Sequence, residues 1–271
     1  MIAAGATVGT LQAALPLDPL ENRILLCHAL GLTRVGLITQ SERRLTGIEA
    51  AALAALVERR QHGEPIAYLV GRREFFGLDF RVTDAVLIPR PDTELLVELA
   101  LERLPAQGRV LDMGTGSGAI AVAIAHTRQD AGVTALDVSI EALEVARTNA
   151  AENGARVRFL QSDWFAALDG EVFELIVSNP PYIADGDVHL SQGDLRFEPV
   201  GALTDHADGL SALRTIVGGA RAHLVGQGWL LMEHGYDQAA QVRALLAAKG
   251  YTEVQSWRDL AGIERVTGGR A

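Results

Sequence analysis

One cysteine and one lysine stand in a chain of 271 residues. The lone Cys27 excludes an internal disulfide framework and any metal site built from clustered cysteines. It lies in the apolar run "RILLCHAL", where a buried structural thiol is expected. The lone Lys249 leaves arginine to carry almost all positive charge, a compositional bias with no mechanism attached. Cations are also outnumbered, 24 Lys and Arg against 34 Asp and Glu, for a formal charge of −10. That argues against a broad nucleic-acid surface, because phosphate contacts need clustered Lys and Arg, although a local basic patch stays possible. No apolar run approaches the roughly 20 residues that span a bilayer. The first seventeen residues are uncharged and lack the basic start and continuous apolar stretch of a signal peptide. No His, Cys or carboxylate cluster has metal-ligand spacing, so no metal is expected. The expectation is a soluble, cytoplasmic protein with no direct nucleic-acid or membrane partner.

What is present suffices for a substantial core, since 48% of the residues are hydrophobic. Residues 18 to 62 carry helical periodicity without a strand pattern. "DPLENRILLCHALGL" has Asp18 as N-cap, Pro19 at the first helical position and a stop near Gly31. "TGIEAAALAALVERRQHG" runs from a Thr46 cap to Gly63, with Ile48, Ala52, Leu53, Leu56 and Val57 at helix spacing. "REFFGLDFRV" alternates about Gly77 and reads as a hairpin or extended linker. "LIPRPDTELLVELALERL" opens a helix, with Pro91 near its start and Asp92 or Thr93 as cap. From residue 109 short apolar strands alternate with helices, and the last two strands follow one another directly. This order predicts an α/β fold: a doubly wound, mostly parallel seven-stranded sheet with an antiparallel edge, behind a small all-helical domain. The expected division is residues 1–72 helical, 73–88 hairpin and linker, and 89–271 the sheet domain.

In such sheets ligands bind beyond the carboxyl ends of the strands. Four strand ends carry suitable chemistry. "LDMGTGSGA" holds Asp112, Gly114, Gly116 and Gly118, glycines that permit sharp turns and close approach of a ligand. An ordinary strand–helix turn explains a lone loop equally well. The G-x-G-x-G spacing shifts weight from dinucleotides towards S-adenosylmethionine. Asp137, ending "VTALD", can accept from both ribose hydroxyls, whereas Ser139 is the better-placed helix cap. In "QSDWF", Asp163 can accept from an adenine amino group; Trp164 can stack on the ring or simply belong to the core.

The fourth strand end is "IVSNPPYI". An amide or exocyclic amino nitrogen is a poor nucleophile, because its lone pair is delocalised. Asn179 offers a side-chain carbonyl to one N–H of such a target, and the Pro180 backbone carbonyl offers a second acceptor. The prolines stiffen the loop, so both acceptors are preorganised. Tyr182 can stack on a planar amide or base. Catalysis by positioning and electrostatics then needs no strong general base.

These residues resemble the class I S-adenosylmethionine-dependent methyltransferases, and "NPPY" resembles their amino-methylating branch. "EPIAYLVGRREFFGLDF", "VLIPRPDTELLVE", "VLDMGTGSGAIAVA", "SDWF", "IVSNPPYI", "DGL" and "GYDQ" together look like the bacterial release-factor glutamine methyltransferases, over about residues 20 to 268. The resemblance implies N5-methylation of the glutamine in the Gly-Gly-Gln tripeptide of class-1 peptide chain release factors, with S-adenosylhomocysteine as product. It implies cofactor contacts at Gly114, Thr115, Gly116, Ser117, Gly118, Asp137, Trp164 and Asn179. Substrate contacts fall on Asn179, Pro180, Pro181 and Tyr182, with Arg90 at the mouth against substrate backbone. The helical domain would grip the release factor outside the tripeptide. One departure concerns "LTDHADGL", where the family usually has a Gly-Gly pair before "DGL". His234 is expected to be a satisfied histidine rather than a catalytic one. A sister enzyme acting on a large-subunit ribosomal protein usually has "PRSP" in place of "PRPDTE". A DNA or RNA amino-methyltransferase is disfavoured by charge. An NAD-dependent oxidoreductase leaves "NPPY" unexplained, and a non-catalytic binder has no reason to keep it.

Overall fold

Helix capping organises the first part of the chain much as the sequence reads. The computed structural model describes residues 2–271. It divides into two units, one ending at Gly71 and the other spanning Arg72–Ala271. The first contains five helices: α1 (Val8–Ala14), α2 (Pro19–Leu30), α3 (Arg34–Thr39), α4 (Gly47–Gln61) and α5 (Ile66–Val70). Asp18 accepts from the Leu20 N–H at the start of α2, and Gly31 ends that helix in the left-handed conformation. Thr46 and Glu49 form a reciprocal capping box on α4. Leu25, Leu26, Leu37, Leu53 and Val57 pack into a core with Val8 and Leu11. Ile48 and Ala52, expected on the inner face of α4, are exposed; Ala50, Leu53 and Val57 form the buried stripe instead. Cys27 is half-buried, and burial pushes its thiol pKa up, away from reactivity.

The second unit opens with a hairpin, β1 (Arg72–Phe75) and β2 (Leu78–Arg81). Its two turn residues, Phe76 and Gly77, both have positive φ, as a two-residue hairpin turn demands. After α6 (Glu94–Arg103) the chain alternates: β3 (Arg109–Met113), α7 (Ala119–Thr127), β4 (Gly132–Asp137), α8 (Ile140–Glu152), β5 (Val157–Gln161) and β6 (Phe173–Ser178). It continues through α9 (Val200–Leu203), α10 (Ser211–Ala220), β7 (Leu224–Glu233), α11 (Ala239–Ala248), β8 (Thr252–Arg258) and β9 (Glu264–Arg270).

The seven-stranded sheet has the order β5-β4-β3-β6-β7-β9-β8. The first five of these are mutually parallel; β9 runs antiparallel to both β7 and β8. Alternate residues of each central strand enter different cores. Val110, Val177 and Leu231 pack with α6 and α7. Leu111, Ile176 and Leu230 pack with α10 and α11. Both faces are therefore covered, which is why these strands are continuously apolar. The strand order reverses between β3 and β6, and a crevice opens at that switch point.

Candidate functional site

The crevice is a cavity of about 470 Å³ at the carboxyl ends of β3 to β6. Its floor is the loop after β3. Gly114, Gly116 and Gly118 all have positive φ, and both Gly114 and Thr115 donate their N–H groups to the Leu136 carbonyl at 2.9 Å. A Cβ on Gly114 or Gly116 would meet no protein atom within 4 Å, whereas one on Gly118 would press on Ala146 Cβ at 3.0 Å. The first two glycines thus expose backbone to the cavity, and the third allows α7 to pack on α8.

Asp137, at the end of β4, accepts from the Gly116 N–H at 2.9 Å and from the Ser139 N–H at 3.0 Å. Burial raises its pKa against those hydrogen bonds. Half of its acceptor capacity therefore fixes the glycine loop, and the remainder is available to a ligand. Ser139 caps α8, accepting from Ala142. Asp112 lies beneath the loop and does not line the cavity. It accepts from the Thr115 hydroxyl at 2.6 Å and the Ala121 N–H at 3.2 Å, while Oδ1 has no partner. Burial pushes its pKa up to about 7.

Asn179 leaves the end of β6 with its Nδ2 donating to Thr93 Oγ1 at 3.2 Å. Oδ1 is left free as an acceptor. Thr93, expected as a possible helix cap, makes no capping hydrogen bond and serves Asn179 instead. Tyr182 was expected to face a target amide. Its ring packs with the core on the α10 and α11 side, and its hydroxyl donates to Glu233 Oε1 at 3.3 Å. Glu233 is 2% exposed, and burial pushes its pKa up to about 7. The same burial, together with the Glu233 charge, raises the pKa of the Tyr182 phenol.

Of the residues singled out in the sequence, Arg90, Gly114, Thr115, Gly116, Ser117, Asp137, Asp163, Trp164, Asn179 and Pro181 line the cavity. Asp112, Gly118, Pro180 and Tyr182 do not. Trp164 takes a left-handed backbone conformation, φ 47°, which turns the chain at the end of β5. Arg90, expected against substrate backbone, is engaged in an ion pair with the buried Glu198. Glu198 also accepts from the Ile88 N–H at 3.1 Å, joining the two segments that wall the mouth. His234 is fully buried, with Nδ1 against the Gly235 carbonyl and Nε2 against the Thr267 hydroxyl. Both ring nitrogens are satisfied in the neutral form.

Several contributors escaped the sequence reading. Thr93, Glu198, Glu233 and Asn149 each act on partners far along the chain. Asn149, on α8, donates to the Ser117 carbonyl at 2.8 Å and bonds both backbone groups of Arg81, tying the hairpin to the glycine loop. Gln238 and Gly209, from the quoted "GYDQ" and "DGL", brace the loop from behind. Gln238 Nε2 donates to the Tyr182 carbonyl at 3.0 Å, and a Cβ on Gly209 would strike that oxygen at 2.6 Å.

Among the described residues no three His, Cys, Asp or Glu side chains converge as a metal site, and no helix is long and apolar enough to cross a membrane.

Comparison with known proteins gives concordant matches in both units. The methyltransferase small domain family matches residues 91–195, and the PrmC N-terminal domain family matches residues 6–71. A release factor glutamine methyltransferase of Burkholderia pseudomallei is 58% identical over 274 residues, covering 98% of this chain and 96% of that one. The protein of that name from Escherichia coli is 48% identical over 252 residues, covering 92% and 91%. A Pyrococcus furiosus methyltransferase of known structure shares the fold, with a TM-score of 0.55, 21% identity and coverage of 79% and 95%.

Proposed function

The chain belongs to the release factor glutamine methyltransferases, and on that premise we propose that its strand-end cleft methylates N5 of the glutamine in the Gly-Gly-Gln tripeptide of class-1 peptide chain release factors. As a member of that family it is an S-adenosylmethionine-dependent protein glutamine methyltransferase. The observation that carries the site assignment is convergence: the glycine loop, Asp137 and the free carbonyl of Asn179 border one cavity. Bound there, S-adenosylmethionine supplies an electrophilic methyl group and leaves as S-adenosylhomocysteine.

The chain's residues fit that cofactor. The open space over Gly114 and Gly116 suits a ligand held by loop backbone, with Thr115 and Ser117 on the same loop. Asp137 has lone pairs for ribose hydroxyls, and Asp163 and Trp164 flank a place for adenine. Asp112 and Gly118 act on the loop from below rather than on the ligand.

For the substrate, Asn179 Oδ1 accepts one N–H of the glutamine amide at the cavity wall, and the carbonyl of Pro180, which stands between the lining residues Asn179 and Pro181 without lining the cavity itself, accepts the other once the amide is bound. Holding both protons draws the nitrogen lone pair out of conjugation and aims it at the methyl group. The nitrogen becomes acidic as the new bond forms, and its proton leaves to water. Pro181 contributes to the wall beside the amide, and Tyr182 anchors the end of the loop. Arg90, held by Glu198, shapes the mouth through which the tripeptide enters.

The helical segment, residues 1–72 in this reading, grips the release factor outside the tripeptide. Residues 73–88 link it to the catalytic segment 89–271. The PrmC N-terminal domain match over residues 6–71 supports a separate role for it. The −10 charge supports a protein substrate rather than nucleic acid, and a cytoplasmic location follows from that substrate.

The test offers labelled S-adenosylmethionine with three acceptors: an unmethylated class-1 release factor, the large-subunit ribosomal protein and unmethylated DNA. Label on the release factor, lost when its Gly-Gly-Gln glutamine is changed, is the expected result. Label on either other acceptor in its place overturns the substrate assignment.

A further inference from the structure

The carbonyl groups of the glycine loop need donors if they are to stay out of the cleft. The Thr115 carbonyl accepts from the Gly118 N–H, and the Gly118 carbonyl accepts from the Val122 N–H, both at 2.8 Å. The Ser117 carbonyl has no such backbone partner. In a continuing helix it would meet the N–H four residues on, but that N–H, of Ala121, goes to Asp112 at 3.2 Å. A side chain takes its place: Asn149 Nδ2 donates to the Ser117 carbonyl at 2.8 Å. Asn149 is fully buried on α8, and the other buried residues of that helix are Ala142, Leu143, Ala146 and Ala150. A polar side chain on that apolar face costs desolvation unless every polar atom is engaged. Here every one is. Oδ1 accepts from the Arg81 N–H at 2.7 Å, and Nδ2 gives its second proton to the Arg81 carbonyl at 3.0 Å. The partners are backbone groups whose donor and acceptor roles cannot be exchanged, so the amide has one orientation.

We propose that Asn149 is a positioning residue for the cofactor, which turns the Ser117 carbonyl away from the cleft so that the loop and the start of α7 meet the methionine carboxylate of S-adenosylmethionine with N–H groups. With Asp137 given to the ribose, and Asp163 and Trp164 to the adenine, the amino-acid end of the ligand falls to the loop. Ser117, Ala119 and Ile120 line the cavity there. The first N–H groups of a helix have no partner within it, and they carry positive partial charge that suits a carboxylate. A carbonyl swung into the same place presents negative partial charge and opposes it. Asn149 does not line the cavity; it acts through Ser117. The same amide holds β2 through Arg81, and the hairpin supplies Phe75 to the cavity wall. One side chain therefore sets the loop and this wall in register with each other.

The proposal rests on the reading that the cleft holds S-adenosylmethionine, and the experiment separates the two. Two uncharged-sulfur probes are compared: S-adenosylhomocysteine, and methylthioadenosine, which keeps the adenine, ribose and sulfur but lacks the carboxylate-bearing end. Affinity for the first is measured by calorimetry and for the second by competition with it. Both are read, with melting temperature, on the wild-type chain, Asn149→Ala and Asn153→Ala. Asn153 Nδ2 donates to the Asp79 carbonyl at 3.0 Å, so Asn153→Ala loosens the hairpin and spares the bond to Ser117. Asn149→Ala should weaken S-adenosylhomocysteine about tenfold and leave methylthioadenosine within about threefold. Asn153→Ala should leave both within about threefold. A merely structural asparagine does not separate the two probes. Equal loss of both in Asn149→Ala, or unchanged affinity for S-adenosylhomocysteine, overturns the proposal, as does the same selective loss in Asn153→Ala. If Asn149→Ala does not fold, hydrogen exchange at the Arg81 N–H of the wild-type chain decides. S-adenosylhomocysteine should slow it at least about threefold more than methylthioadenosine at equal saturation, because Asn149 joins Arg81 to the loop. Equal exchange with the two probes overturns the proposal. If the wild-type chain binds neither probe, the cofactor reading of the cleft falls and the proposal falls with it.

Discussion

Asn179 and Asp137 sit on opposite sides of the cleft and should fail in opposite ways. Asn179 contributes an acceptor whose value is greatest when the amide nitrogen is being methylated. Asn179→Ala should therefore keep S-adenosylmethionine affinity within about tenfold and lose kcat by about 10²-fold, since the lost interaction serves the transition state. Turnover at the wild-type rate would remove Asn179 from the chemistry. Asp137 is charged where the cofactor binds, and it also holds the Gly116 N–H. Asp137→Ala should weaken cofactor binding by about 2 kcal/mol, a typical value for a lost charge-assisted hydrogen bond. Calorimetry on the apo protein measures this directly, and an unchanged affinity would exclude Asp137 from the site.

At the scale of elements, the loop after β6 is held in place by segments that never touch the chemistry. Gly209 has φ 78° and lies against the Tyr182 carbonyl, which Gln238 also grips. Gly209→Ala puts a methyl group 2.6 Å from that oxygen and a side chain in left-handed backbone. The strain should cost about 1–3 kcal/mol of stability and displace Tyr182, lowering kcat even where the protein remains folded. A urea midpoint and single-turnover rate on the same sample test both parts; normal values for both would show that the loop yields without consequence. This dependence on distant support marks what the sequence discloses. The glycine loop, Asp137 and Asn179 are legible because each is a local pattern at the end of an apolar strand. The two-core sheet is legible because Leu111, Ile176 and their neighbours form short, continuous apolar runs between helical stretches. Thr93 reads in the sequence only as a possible cap and Glu233 carries no signal there, since their partners lie 86 and 51 residues away in the chain, at Asn179 and Tyr182 respectively. Helices α1, α3 and α5 have 7, 6 and 5 residues, too few to display a helical period. Ile48 misled because it is apolar on the outer side of α4, where burial and not composition decides the face.

For the molecule as a whole, buried carboxylates link stability to pH in a definite direction. Asp112 and Glu233 have pKa values of about 7 when folded, against ordinary values of 3.8 and 4.5. Between about pH 4 and pH 7 the folded chain therefore keeps protons that the unfolded chain has released. Unfolding in that window releases protons, so the free energy of unfolding falls as pH rises through it. Exposed ion pairs act elsewhere. Arg128 holds Asp130 well below the usual carboxylate range, and the stability this pair gives is lost only in acid, below about pH 4. His234 opposes the trend, because burial lowers its pKa and the unfolded chain binds its proton below about pH 6.5. A single substitution separates these contributions. Asp112→Asn keeps an acceptor for Thr115 and Ala121 but cannot ionise, and any cost of its NH2 at the unpartnered Oδ1 position is the same at every pH. The variant should thus gain on wild type as pH rises from 5 to 8, by an amount read as the change in the difference between their unfolding free energies in urea. A difference that stays constant across that range would mean that Asp112 is ionised in the folded protein at both ends, and that the loop is built on a charge rather than on a neutral acid.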